Sequence, residues 1–412
     1  MIEGDEFRFG LGLLVVAGIY AAVLYSRRWT DKPRLLADLL DSRLHYAVAG
    51  LVLSLAAPEG VRTTIGEGVD IAMVFLAGIF GLIVGGSFDW RLIKRFTKPL
   101  LWLEVGYLVL LIMTVWLLTY SFFSGVVDSA NGGGGALMWA VCGLVSAGWM
   151  RQNRVDSGKH QIKGGGWLPS VNAMAGLLLA GIGLIQMRPG GFVVRQPLAF
   201  PQVIVVDGIW DEILWCALLG ALVGLVVDLS TRDVRREHLY YWVGSGLLMG
   251  CGIAQVLGLE PLWVGGIAGI WLINATLRRL DLLRVLGDGQ GVMRTILPAV
   301  MGWVLGGALK GGFDWIFAAW ILSILVIAVP ALRLGVWHGL GRFLDRSVVR
   351  RTGIELRKLL EFDDLALVVG LGMAALLPAA QAAALLAAVL LGQWLLHLVA
   401  VLAAEKFARV TG

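Results

Sequence analysis

The chain has 412 residues, of which 58% are apolar and 15% charged, with a net charge of +5 and a mean hydropathy of +0.80. A water-soluble domain of this length is excluded by that composition. The basic excess calls for no nucleic acid, because anchoring of cytoplasmic loops and attraction to anionic lipid account for it.

A helix crosses about 30 Å of hydrocarbon with roughly 20 mostly apolar residues, since lipid offers an exposed N–H or C=O no partner. Apolar runs between charged clusters predict about thirteen spans, at 9–26, 44–58, 69–88, 99–123, 136–150, 169–187, 209–228, 239–258, 260–277, 295–309, 314–333, 363–381 and 383–403. The first is followed by Ser26-Arg27-Arg28-Trp29 with no small-residue cleavage site, so it is expected to be a retained helix. The fold class is therefore an all-α polytopic membrane protein: one transmembrane domain over 1–412, in two halves of about 1–208 and 209–412, with no soluble domain.

Lys and Arg orient it, because cytoplasmic loops carry the excess. With the N-terminus outside, only Arg8, Arg62, Arg188, Arg195 and Lys310 of the 34 basic residues fall on the outer side. The expected arrangement is N-out and C-in.

The connecting segments suggest surfaces more than chemistry. Gly132 to Gly135 read as an external loop without a following basic residue in P-loop spacing, and 188–208 is an apolar outer loop that packs on the protein's own face or under a partner. Residues 334–362 alternate Arg342, Arg346, Arg350 and Arg351 with Trp337 and Phe343, as a membrane-surface helix or a partner dock would. Cys142, Cys216 and Cys251 fall inside spans as small apolar packers, and His45, His160, His238, His338 and His397 lack metal-ligand spacing. No enzyme activity, catalytic residue, cofactor or metal is expected. Asp70, Asp211, Glu212, Asp228 and Asp314 lie near predicted span ends, where a charged group reaches the interface.

Glycine is abundant, with 56 copies, and Gly78, Gly81 and Gly85, or Gly220 and Gly224, are spaced for close helix packing. Two short, glycine-interrupted spans stand at matching places in the halves: the fifth, with Gly143 and Gly148 around Ser146, and the twelfth, with Gly370 and Gly372. Such pairs point to a broken-helix transporter core with an inverted repeat.

Several segments in order resemble the bacterial monovalent cation/proton antiporters. Ile253 to Gly269 is similar to their glycine-rich stretch joining two helices, and Val69 to Arg95, with Asp89-Trp90-Arg91, to an early glycine-rich helix. Leu219 to Gly224 resembles a mid-chain glycine helix, and Glu355 to Leu360 leading into Leu365 to Leu376 a late acidic element. The resemblance implies an ion site at the crossing of two broken helices, with an acid in a T-D-P turn and an N-D pair. Here the first position reads Ser146-Ala147-Gly148-Trp149-Met150, with no acid, and the second Val171-Asn172-Ala173, with Asn kept and Asp replaced. The late arginine position falls near Phe362, beside Asp363 and Asp364.

Candidate transport-site residues are accordingly Ser146, Gly148, Asn172, Asp364, Gly370 and Gly372, with Glu104 at the cytoplasmic mouth beside Asp364. Two functions are expected of such a chain: a divergent transporter with an altered ion or solute site, or an antiporter-fold subunit that no longer transports and scaffolds a membrane complex. Its expected partners are the lipid bilayer, a second copy as the resemblance implies, and in the second reading another membrane or periplasmic subunit.

Overall fold

A computed structural model of the chain describes residues 2–26, 42–93, 98–123, 133–147, 171–187, 209–335 and 364–411. The regular structure of these residues is helical, with no strand among them. The helices are α1 (Ile2–Ser26), α2 (Leu44–Ala56), α3 (Glu59–Gly86), α4 (Lys98–Phe123), α5 (Gly133–Ala147), α6 (Val171–Met187) and α7 (Ile209–Thr231). There follow α8 (Leu239–Leu257), α9 (Pro261–Ala275), α10 (Arg279–Ala308), α11 (Trp315–Ser323), α12 (Asp364–Ala374) and α13 (Ala379–Thr411). A π turn, Ile324–Ala328, continues α11. Its cause is Pro330: the ring has no N–H for the carbonyl four residues back and crowds it, so the ladder shifts register.

By length and composition 5 helical segments can cross a membrane: Glu59–Gly86, Ile209–Thr231, Arg284–Gly311, Trp315–Gly335 and Ala379–Ala400. Shorter apolar helices accompany them, among them Leu44–Ala56, Gly135–Ser146 and Met174–Met187. Each predicted span contains one helix, and the ends differ where polar residues hid helical backbone. Helix α3 begins at Glu59, not at 69, so Asp70 lies well inside the helix rather than at its end. Helix α10 takes in 279–294, expected as a loop, and α5 takes in Gly133 to Gly135. Helix α12 stops at Ala374, short of the predicted 381, with Pro378 preceding α13.

The chain forms two compact units, the first of Met1–Met73, Val292–Ala328 and Leu356–Gly412, the second of Val74–Gly291 and Val329–Glu355. In the second unit, α3 and α9 run parallel with backbone against backbone. A methyl at Gly81 or Gly85 would overlap the carbonyls of Leu262 and Gly266, and one at Gly265 or Gly269 those of Gly78 and Leu82. Helix α7 lies parallel to α9, with Gly220 against Ile267 and Gly224 against Trp271, while α8 returns antiparallel to α7, with Gly250 on Val223 and Gly246 on Val227. The α8–α9 corner is a glycine stop followed by a proline start. Gly258 is left-handed at φ 71, Leu259 N–H donates to the Ala254 carbonyl at 2.8 Å, and Pro261 opens α9.

In the first unit, α2 and α10 are parallel and meet at Gly50 with Ala299 and at Gly302 with Ala47. Helix α11 is parallel to α13, through Gly311 with Ala379 and Gly392 with Leu325, and α12 folds back on α13.

Helix α7 shows which solvent the sequence is built for. Its buried face carries Glu212, Cys216, Gly220, Gly224, Asp228 and Thr231. Its exposed face carries Leu214, Leu218, Leu222, Leu225 and Leu229, each at least 38% exposed. Polar groups inward and leucines outward, at the spacing of a single helix face, is the reverse of a helix on a water-soluble protein. Trp210 and Trp315, 78% and 76% exposed at helix starts, fit the aromatic girdle of a bilayer interface.

Candidate functional site

Helices α5 and α6 pack side by side in the second unit. They are antiparallel, and a methyl at Gly143 would overlap the backbone of Ala180, as one at Gly183 would that of Ala140. Ser146 follows Gly143 by nearly one turn and is 1% exposed. The register set by those contacts puts Ser146 opposite Leu177, and Asn172 about 7.5 Å further along α6 at the same end of the pair.

The Ser146 hydroxyl differs from most of the buried hydroxyls among the described residues. Ser87 donates to the Val84 carbonyl at 2.6 Å, Thr119 to Val115 at 2.7 Å and Thr231 to Val227 at 2.8 Å, each spending its proton on its own helix. Ser146 Oγ, like Ser54 Oγ in the first unit, has no hydrogen-bond partner among the described residues. A buried hydroxyl without a partner costs about 1–3 kcal/mol.

The remaining predicted residues divide between the units. Glu104 is on α4, which packs on both α5 and α6, so its helix shares the neighbourhood of Ser146 and Asn172. Asp364 opens α12 in the first unit, Gly370 is buried on that helix and Gly372 half-buried. Gly148 lies outside the described residues, as do the 188–208 loop and nearly all of 334–362. Cys142, Cys216 and Cys251 are buried and free, and the Cys216 thiol donates to the Glu260 carbonyl at 3.9 Å.

Buried charge occurs at Glu212 and Asp228, which the sequence suggested as interfacial, and also at Glu260. Glu212 is 0% exposed and Glu260 6%, at the same corner, because Cys216 sits one turn beyond Glu212 and bonds the Glu260 carbonyl. Asp228 is buried and paired with Arg232 at 3.2 Å. Asp314 behaves as expected, capping α11 by accepting from the Phe317 N–H at 3.0 Å.

At the other end of α9 a polar clasp joins three elements. Asp89 pairs with Arg279 at 2.5 Å, and Asn274 Nδ2 donates to the Phe88 carbonyl at 2.9 Å while its Oδ1 accepts the Trp90 N–H at 2.9 Å. Arg278 donates to the carbonyls of Thr231 and Val234, closing the end of α7. Arg333, 3% exposed, donates its Nε–H to the Tyr107 hydroxyl at 3.1 Å. Nothing in local sequence marks these pairings, since the partners lie 44 to 226 residues apart. No group of three or more metal-ligating side chains occurs among the described residues.

The sequence matches no protein-family profile, and no curated protein matches it.

Proposed function

We propose that the chain is a polytopic inner-membrane transporter of about thirteen spans, N-out and C-in, with an antiporter-like fold and an altered solute or ion site where α5 meets α6. The observation that carries the reading is the Ser146 hydroxyl. It is buried inside a helix pair, without a hydrogen-bond partner among the described residues and not turned back onto its own helix, at the end of the pair to which Asn172 belongs. An unsatisfied hydroxyl in that position is costly to stability and is retained for a group that comes and goes. Serine and asparagine at such a place exchange hydrogen bonds with a solute rather than protons, which supports transport without the usual proton-for-cation carboxylate.

The scaffold reading has its own support: the α5 and α6 backbones touch at Gly143 and Gly183, a packing that holds the pair as one rigid piece. Reconstitution separates the two. Purified protein in liposomes holding a pH-sensitive dye is given sodium, potassium or lithium gradients, with uncharged and anionic solute uptake measured in parallel. Solute or cation flux that falls at least tenfold in Ser146→Ala or Asn172→Ala, about 1.4 kcal/mol or more on the transport barrier, supports the transporter. A folded protein with no flux under any gradient leaves the scaffold reading.

A further inference from the structure

We propose that the outer half of α3 faces water inside the membrane, forming one wall of a cation-attracting vestibule that opens to the outer side; the proposal rests on the membrane-spanning reading above.

The level of the outer rim in the first unit is set by charge. Glu59 begins α3 and pairs with Lys310 at 3.1 Å, with side chains 74% and 51% exposed. Arg62 turns inward to the end of α2, donating to the Ser54 carbonyl at 2.6 Å and that of Ala57 at 3.0 Å. The apolar surface begins at once below this rim, for Trp315 and Ile316, a few residues after Lys310, are among the most exposed large apolar side chains. From Glu59 the helix descends about 1.5 Å per residue. Glu67 is thereby about 12 Å, and Asp70 about 16.5 Å, along the axis from the rim, against a half-thickness of about 15 Å for the hydrocarbon.

Glu67 and Asp70 are both exposed, and neither is joined by a hydrogen bond or ion pair to another described residue. They are three residues apart, on one stripe with Glu59 and Thr63. Gly66 and Gly68 have open space where a side chain would be, so no described residue covers these two positions. Two unpaired carboxylates of like charge cannot stand side by side in hydrocarbon, and their side chains are too short to reach the headgroups from that depth. Water must reach them. A low-dielectric wall bearing one sign of charge then concentrates cations along it.

Cysteine accessibility tests this, since the three native cysteines are buried. Gly60→Cys at the rim, Thr63→Cys, Glu67→Cys and Asp70→Cys are compared in outward-facing vesicles with Leu222→Cys on the leucine face of α7. The reagents are a membrane-impermeant charged methanethiosulfonate, added outside, and a lipophilic maleimide. The expected result is that the four α3 cysteines react with the impermeant reagent at comparable rates, while Leu222→Cys takes only the maleimide. At Thr63→Cys a cationic methanethiosulfonate should outpace an anionic one by about tenfold, and Glu67→Gln with Asp70→Asn should erase the difference. If Glu67→Cys and Asp70→Cys behave like Leu222→Cys, or resist both reagents as under a covering protein, the vestibule is refuted while the membrane reading stands. If Leu222→Cys also reacts with the impermeant reagent, the membrane reading itself fails, and the vestibule with it.

Discussion

Helix α3 allows one substitution to be tried with opposite expected signs along a single element. At Gly81 and Gly85 an added methyl meets the carbonyls of Leu262 and Gly266 on α9, which are backbone and cannot rotate aside. Restoring ordinary contact of about 3.5 Å between heavy atoms requires the two axes to part by about 1.5 Å. A gap of that size forfeits about half or more of each contact along the seam, including those of Gly265 and Gly269. The expected cost of Gly81→Ala or Gly85→Ala is about 3 kcal/mol, the upper range for overpacking. At Gly66 and Gly68 the space is open, and alanine there improves the helix by about 0.5–1 kcal/mol. Thermal inactivation of detergent-solubilised protein, followed by monodisperse peak height after heating, ranks the variants without requiring reversibility. The order expected is Gly66→Ala and Gly68→Ala at or above the parent, then Gly81→Ala and Gly85→Ala well below it. Equal stability of Gly81→Ala and the parent would refute the backbone seam.

The polar clasp should behave as a pair: Asp89→Asn and Arg279→Gln each cost about 2 kcal/mol, discounted for the partial exposure of Arg279, and the double variant should cost less than the two together. Arg62→Lys keeps the charge but loses the fork that holds the Ser54 and Ala57 carbonyls, for about 1–2 kcal/mol, whereas the exposed Lys310→Met should fall within about 0.5 kcal/mol of the parent. Tyr107→Phe removes an acceptor of the buried Arg333 and should cost about 1.5–3 kcal/mol, read by the same heating assay. Ser146→Ala should leave thermal stability equal or higher, since no hydrogen bond is lost, while lowering flux; a stability loss above about 1 kcal/mol would show that its hydroxyl is structural.

Helix number was legible because lipid enforces a simple rule: a span must be apolar and must satisfy its own backbone. The rule fails at helix ends. Residues 59–68 read Glu-Gly-Val-Arg-Thr-Thr-Ile-Gly-Glu-Gly, with too little apolar character to register, yet they are helical. Glu59 favours the helix N-terminus, Arg62 pairs with it at 2.9 Å, and its N–H bonds the Pro58 carbonyl. The same misreading hid the first part of α10, residues 279–294. The glycine spacing of α3, α7 and α9 anticipated close packing, but not which helices meet, because small residues specify proximity and not partner. Ser146 was singled out from its place in a short glycine-interrupted span, whereas Glu212 passed as interfacial: two residues into a helix, only the fold decides whether a side chain turns out or in.

Helix direction supplies an argument independent of charge. If spans alternate, two helices whose ordinal numbers differ by an even amount must run parallel, and by an odd amount antiparallel. Within the second unit α3 and α9 are parallel, as are α7 and α9, while α5 with α6, α6 with α9 and α7 with α8 are antiparallel. Within the first unit α2 with α10 and α11 with α13 are parallel. Every one of these pairs obeys the rule. One spurious or missing crossing between α2 and α10, or between α3 and α9, would have reversed a contact that glycine packing fixes residue by residue. Lys and Arg then have only to say which common side is the cytoplasm, and their near-exclusion from one side supports the N-out reading without having to establish the number of crossings as well.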